Sequence, residues 1–273
     1  AGNVALNIKA MGATPILCSV IGQDKEGKDL RDIMMKSGLT CNGLIHSDKR
    51  KTTNKTRVLG NNHQLLRIDH EITHDLDVVD SFLLEQRFSE ELENCDVVIF
   101  EDYNKGVLHG KNIELLIQKC VTKGIPTIVD PKKANFLAYK NVTLFKPNLK
   151  EIKEGLKIET DLSDMAHLND AIAQLMSSLN NEYTLVTLSE RGVVITGKNE
   201  THHIPAHIRT IADVSGAGDT VVSVAALCLS AKTDAKTLAE LSNLAGGLVC
   251  EITGVVPINK EQLLAEAIKI LGK

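Results

Sequence analysis

Tryptophan is absent from this chain, and its 273 residues include only three tyrosines and five phenylalanines. With so little aromatic surface, a core must be mostly aliphatic. Charge of one sign is also lacking. The formal net charge is -4, so no basic excess points to nucleic acid. No apolar run approaches the ~18 residues that suggest a membrane span. Six cysteines are present (Cys18, Cys41, Cys95, Cys120, Cys228 and Cys250), but no two form a CxxC pair. Most lie in apolar runs such as CDVVIF and ALCLS, as expected of free thiols in a reducing, cytoplasmic compartment. A signal peptide and an initiating methionine are missing as well. The chain opens on AGNVALNIKAMG, which already reads as a helix, so residues upstream are expected to be missing.

What remains is ordinary for a globular α/β protein: 43% hydrophobic and 24% charged residues. Apolar β-rich runs (PILCSVIG, CDVVIFED, IPTIVDP, VTLFKPN, YTLVTLSERG, VVITG) alternate with helical patterns, and three helices close the chain. The alternation predicts one mostly parallel sheet covered by helices. No repeat, low-complexity stretch or linker divides residues 1–273, so a single domain is expected. The segment from about 44 to 70 breaks the rhythm. KTRVLG and HQLLRIDH around the Asn61-Asn62 pair predict a hairpin in a small β lid.

In open parallel sheets, ligands bind beyond the carboxyl ends of the strands. Polar residues collect there: ED at 101–102, DPKK at 130–133, KPN at 146–148, TLSERG at 187–192 and DVSGAGD at 213–219. In the last, a helix beginning at Gly216-Ala217-Gly218 would present unpaired N–H groups to an anion, with Asp219 in its first turn as a base. A plain strand-to-helix turn accounts for the same residues. Asn148 and Glu151 have the spacing of a helix capping box. HEITH (70–74) matches the zinc-protease pattern H-E-x-x-H, but it follows a strand-like stretch and acids crowd its far end. HHIPAH (202–207) reads as a solvent-facing strand broken by proline.

DVSGAGDT resembles the D-T-x-G-A-G-D signature of the ribokinase/pfkB family of carbohydrate kinases. Asn3, Ala5, Gly12 and Gly22 match that family's N-terminal glycine pattern, without the paired glycines that usually precede it. KPNLKE, VTLSERG and LSNLAGGLVC resemble three further family segments, in the family's order. The resemblance implies a ribokinase-like three-layer α/β sandwich and an ATP-dependent sugar kinase. By it, Asp219 is the catalytic base and Gly216, Ala217 and Gly218 the anion hole. Asn148 and Glu151 place Mg²⁺ through water. Thr187, Ser189 and Gly192 line the nucleotide phosphates, Asn243 and Gly246 lie near adenine, and Asn3 and Asp102 face the sugar. Asp213 and Ser215 match positions that hold a monovalent cation in some relatives.

RVLGNNHQLLRIDHE, EDYNKGVL and DPKKANFLAYKNVTLFKPN are similar to the heptose 7-phosphate kinase branch of the family. That implies phosphorylation of D-glycero-D-manno-heptose 7-phosphate at C1, on the route to ADP-heptose and lipopolysaccharide. The companion nucleotidyltransferase, with its H-x-G-H motif, is not in this chain and is expected as a separate or fused partner. Pairing of lids into a homodimer is a further expectation. A phosphorylated substrate needs cations, for which Lys55, Arg57, Arg67, Lys105 and Lys132 are candidates; each could equally be a solvated surface charge. Another sugar, sugar phosphate or nucleoside, or a non-catalytic binding module, remain the alternatives.

Overall fold

A computed structural model describes residues 1–60 and 63–272. In chain order the elements are α1 (Gly2–Ala10), β1 (Ser19–Gly22), α2 (Lys25–Lys36), β2 (Leu44–Ser47), β3 (Asn54–Gly60), β4 (His63–His70), α3 (Val78–Glu91), β5 (Val98–Glu101), α4 (Gly110–Lys123) and β6 (Thr127–Asp130). There follow β7 (Leu144–Phe145), α5 (Leu149–Leu156), α6 (Met165–Leu179), β8 (Tyr183–Thr187), β9 (Val193–Thr196), β10 (Thr201–Ile204), α7 (Ala217–Ser230), α8 (Ala235–Val249) and α9 (Lys260–Leu271). Many helices start where a short polar side chain takes up an orphan N–H. Asp24, Asp77, Asp164, Asp234 and Asn259 each accept from a backbone N–H in the first turn.

The central sheet runs β10-β9-β8-β7-β6-β5. β5 through β8 are parallel, and β9 and β10 add antiparallel strands at one edge. Successive side chains on a strand face opposite sides of the sheet. Ile128, Leu144, Leu185 and Val193 enter one core with α1, α7, α8 and α9. Their neighbours Val129, Phe145, Val186 and Val194 enter the other, with α4, α5 and α6. The three-layer sandwich follows from that alternation. Both cores are mostly aliphatic, as expected, and the buried aromatic side chains concentrate on the face away from α7. Phe88, Phe100, Phe136, Tyr139 and Phe145 gather there, with Phe136 and Phe145 edge-on at 5.1 Å.

Segment 44–70 divides between two small sheets. β2 pairs in parallel with β1, while β3 and β4 form an antiparallel hairpin with Arg57 opposite Arg67. The expected Asn61-Asn62 turn lies outside the described residues. The hairpin leaves Val58, Leu65, Leu66 and Ile68 exposed. No helix among the described residues is long and apolar enough to cross a membrane.

Candidate active site

The parity that divides the two cores also aims the strand ends. Ile99, Ile128, Leu144 and Leu185 face α7. Two residues on, Glu101, Asp130, Lys146 and Thr187 keep the same direction and emerge at the carboxyl edge, under the start of α7. Glu101 and Asp130 are register partners on neighbouring strands. Glu101, Asp130 and Asp219 each bring a carboxylate oxygen to within 4.8 Å of the others.

Burial, and then the Asp130 charge, push Glu101 up to about 7. The Lys146 ammonium sits 3.1 Å from Asp130 Oδ2, with both side chains almost wholly buried. Neither Glu101, Asp130 nor Lys146 was singled out from sequence, although each belongs to a flagged strand-end cluster. The signal that finds them is strand parity.

Asp219 lies in the first turn of α7, opposite α1. Asn3 Nδ2 donates to Asp219 Oδ2 at 2.9 Å. Asn3 Oδ1 and Glu101 Oε2 are shut off from solvent and have no hydrogen-bond partner among the described residues. The two glycines ahead of Asp219 are there for different reasons. Gly216 caps α7 with φ +84°, in the left-handed region. A Cβ on it would lie 2.9 Å from Asn3 Nδ2. At Gly218 a Cβ would meet only Lys146 Nζ, at 3.9 Å, and so would fill open space. Among the described residues, nothing accepts from the Gly218 and Asp219 N–H groups. Ala217 N–H is turned back to the Val214 carbonyl at 3.3 Å, so the expected three-residue cradle is carried by the next two N–H groups. A helix start with free donors, a vacant Cβ position and a buried lysine beneath it fits a phosphate.

Asn148 and Glu151 form the capping box of α5. Glu151 Oε2 accepts from Asn148 N–H at 2.9 Å, and Oε1 from Lys132 Nζ at 2.6 Å. Lys132 also reaches to 3.7 Å from Asp130, which ties this pair to the acid cluster. Each Glu151 oxygen keeps a second lone pair. The donor set therefore fits the water shell of a Mg²⁺ ion better than direct ligation. A backbone bridge between Asn148 and Thr187 brings β8 alongside. The turn that follows holds Ser189 at φ +55° and Gly192 at φ +89°.

The other expected residues have partners of their own. Asp102 is a correction. It has the parity of Phe100, turns to the aromatic face, and is 2% exposed. Its carboxylate is taken by Tyr139 Oη at 2.8 Å, Asn135 Nδ2 at 3.0 Å and Asn104 N–H at 2.8 Å. Glu101, not Asp102, faces the cleft. Arg67 stays on the lid, 3.0 Å from Asp69, with its side chain half exposed. Lys105 Nζ meets Glu71 Oε1 at 2.5 Å, and Lys55 lies 3.0 Å from the other Glu71 oxygen. Lys55 also lies 3.2 Å from Asp69, so two lid cations and Lys105, from the loop after β5, share two acids. His70 ends β4 and His74 lies in the irregular stretch after it, so the helix of a zinc protease does not form. Asn243 donates to the Pro205 carbonyl at 2.9 Å. Gly246 is a packing glycine, since a Cβ there would lie 2.7 Å from Val221 on α7. Asp213 staples a loop, accepting from Ser215 N–H at 2.9 Å and Gly254 N–H at 3.0 Å.

Comparison with known proteins gives the family and the fold. The profile of the "pfkB family carbohydrate kinase" matches residues 1–262. The "Bifunctional protein HldE" of Desulfatibacillum aliphaticivorans is 37% identical over 267 residues, covering 97% of this chain and 54% of that protein. The protein of the same name from Campylobacter curvus is 37% identical over 260 residues, covering 95% and 54%. This chain thus spans about half the length of these curated relatives. Phosphofructokinase-2 from Escherichia coli, solved with potassium, superposes with TM-score 0.82 at 16% identity, covering 99% of this chain and 86% of that one. Ribokinase from Arabidopsis thaliana, complexed with ribose and ATP, superposes with TM-score 0.77 at 15% identity, covering 96% and 85%. The fold is ribokinase-like, and the chain belongs to the pfkB family of carbohydrate kinases, enzymes that transfer a phosphoryl group to a sugar hydroxyl.

Proposed function

We propose that this chain transfers the γ-phosphoryl of ATP to the C1 hydroxyl of D-glycero-D-manno-heptose 7-phosphate, giving the 1,7-bisphosphate and ADP. The observation that carries the reading is the Asp219 carboxylate, gripped by Asn3 beside the open start of α7. Asp219 takes the proton of the attacking hydroxyl. The Gly218 and Asp219 N–H groups and the Lys146 ammonium face the charge that builds on the transferring phosphoryl. The unpartnered Asn3 Oδ1 and Glu101 Oε2 are placed to accept hydrogen bonds from sugar hydroxyls. Asn148 and Glu151 would hold Mg²⁺ through its waters, which supplies charge neutralisation on the nucleotide phosphates.

The choice of a phosphorylated sugar rests on a cation cluster between the lid and the loop after β5. Among the described residues, Lys55, Arg67 and Lys105 share Asp69 and Glu71, which leaves positive charge for a phosphate. The choice of heptose rests on the 37% identical HldE proteins. Their length and their description as bifunctional support a second, nucleotidyltransferase activity beside this one in ADP-heptose supply. The test is ADP release with heptose 7-phosphate, fructose 6-phosphate, ribose and adenosine as acceptors, for wild type and Asp219→Asn. Turnover strongest on heptose 7-phosphate and reduced about 10²–10⁴-fold in the variant is expected. An unchanged rate in Asp219→Asn removes the base, and preference for ribose or adenosine removes the substrate class.

A further inference from the structure

Asn7 is a buried amide in an aliphatic surrounding. It is 0% exposed, and Val4, Ile8, Val221, Val224 and Ile258 belong to the core that packs around it. A polar group at such a place is costly unless its hydrogen bonds are made. Asn7 makes them to three separate parts of the chain. Its Nδ2 donates to the Asn3 carbonyl at 3.1 Å. Its Oδ1 accepts from Ile258 N–H at 2.8 Å, in the stretch leading into α9. The same oxygen is 3.4 Å from the Thr220 hydroxyl, which also reaches the Gly216 carbonyl at 3.1 Å.

Two of these partners flank the reacting group. Asn3 grips Asp219 Oδ2 through its own amide. Thr220 follows Asp219 directly and touches Gly216, the cap of α7. One further contact runs between the same helices: Ser223 Oγ bonds the Asp219 carbonyl at 2.6 Å and lies 3.4 Å from the Val4 carbonyl. The side chain of Asn7 thus fixes the height of α1 against α7 at the turn where Asn3 and Asp219 meet. The stretch before α9 is the third point of that mount.

We propose that Asn7 is a positioning residue for phosphoryl transfer, acting through Asn3 and Thr220 to hold the Asp219 carboxylate where it meets the acceptor hydroxyl. The inference rests on Asp219 as the base. Asn7 itself is 0% exposed, closed off from the cleft in which sugar and nucleotide would sit. A general base misplaced by a fraction of an ångström loses rate with little change in substrate binding.

The test is a double-mutant cycle on the full chain, with kcat and KM for ATP and for the sugar phosphate measured in wild type, Asn7→Ala, Asn3→Ala and the pair. Asn7→Ala should lower kcat by about 10- to 100-fold, with KM for ATP within about 2-fold of wild type. In the Asn3→Ala background the same change should cost about 3-fold or less, because the route through Asn3 is already lost. Equal losses in both backgrounds, or a loss confined to KM, overturn the proposal. If circular dichroism shows Asn7→Ala unfolded, Asn7→Asp is taken through the same cycle, since it keeps the acceptor for Ile258 N–H and removes the amide donor to Asn3. Asp219→Asn separates the two readings. Full activity in that variant sinks the base assignment, whereas loss there with additive Asn7 effects sinks only the role of Asn7.

Discussion

Asn3 and Asp219 are 216 positions apart in sequence, yet the Asn3 amide donates to the Asp219 carboxylate at 2.9 Å. The contact ties α1 to the start of α7, and Gly216 sits against it so closely that no side chain fits between.

Gly216→Ala should therefore harm chemistry more than folding. The left-handed backbone costs about 1–2 kcal/mol with a Cβ, readable in urea denaturation. The new Cβ also pushes the Asn3 amide off Asp219, so kcat should fall about 10-fold or more. Gly218→Ala is the contrast. It should leave the urea midpoint close to wild type and raise KM for ATP, because its Cβ enters only the open cradle.

Lys146→Met should destabilise the fold by about 3–5 kcal/mol, since it strands the buried Asp130 charge beside Glu101 and Asp219. Lys132, 3.7 Å from Asp130, limits the loss. Asp130→Asn added to Lys146→Met should restore much of the denaturation midpoint. No recovery would argue that the lysine acts through packing alone.

Glu101 makes stability depend on pH in an unusual direction for a carboxyl. The folded chain keeps its proton up to about 7, whereas the unfolded chain releases it near 4.5. Between those values the folded state binds more protons, so this contribution is complete below 4.5 and lost as pH rises through 7. The size is on the order of 3 kcal/mol. Glu101→Gln should gain stability relative to wild type between pH 5 and pH 8 in paired urea titrations. Parallel curves would contradict the raised carboxyl.

Lys105→Ala should raise KM for a phosphorylated sugar about 10-fold or more, the worth of a charged hydrogen bond, with KM for ATP unchanged. The effect should shrink as salt rises, because the cluster of Lys55, Arg67 and Lys105 is partly exposed. An equal rise for an unphosphorylated sugar would move Lys105 out of the phosphate subsite.

Much of this site can be found in the primary structure, and the limit has a physical cause. The N-x-x-E capping box of α5 and the glycine-rich start of α7 are local features, so Asn148, Glu151, Gly216 and Asp219 stand out without any fold. Glu101 and Asp102 do not separate that way. Adjacent acids at a strand end point to opposite faces, and only the register of β5 against β6 decides which one meets α7. The same rule hid Lys146. Lys55, Arg67 and Lys105 are visible as charges, but the acids they share, Asp69 and Glu71, require the hairpin to be formed.

Sequence alone determined the βα order, the helix caps and the chemistry available at the strand ends, because these depend on neighbours within a few residues. Tertiary structure alone decided which acids converge, that the five buried aromatic side chains share one face, and that Asn7 joins three distant segments. Those outcomes depend on sheet parity and on packing between α1 and α7, which are properties of the assembled core and not of any local stretch.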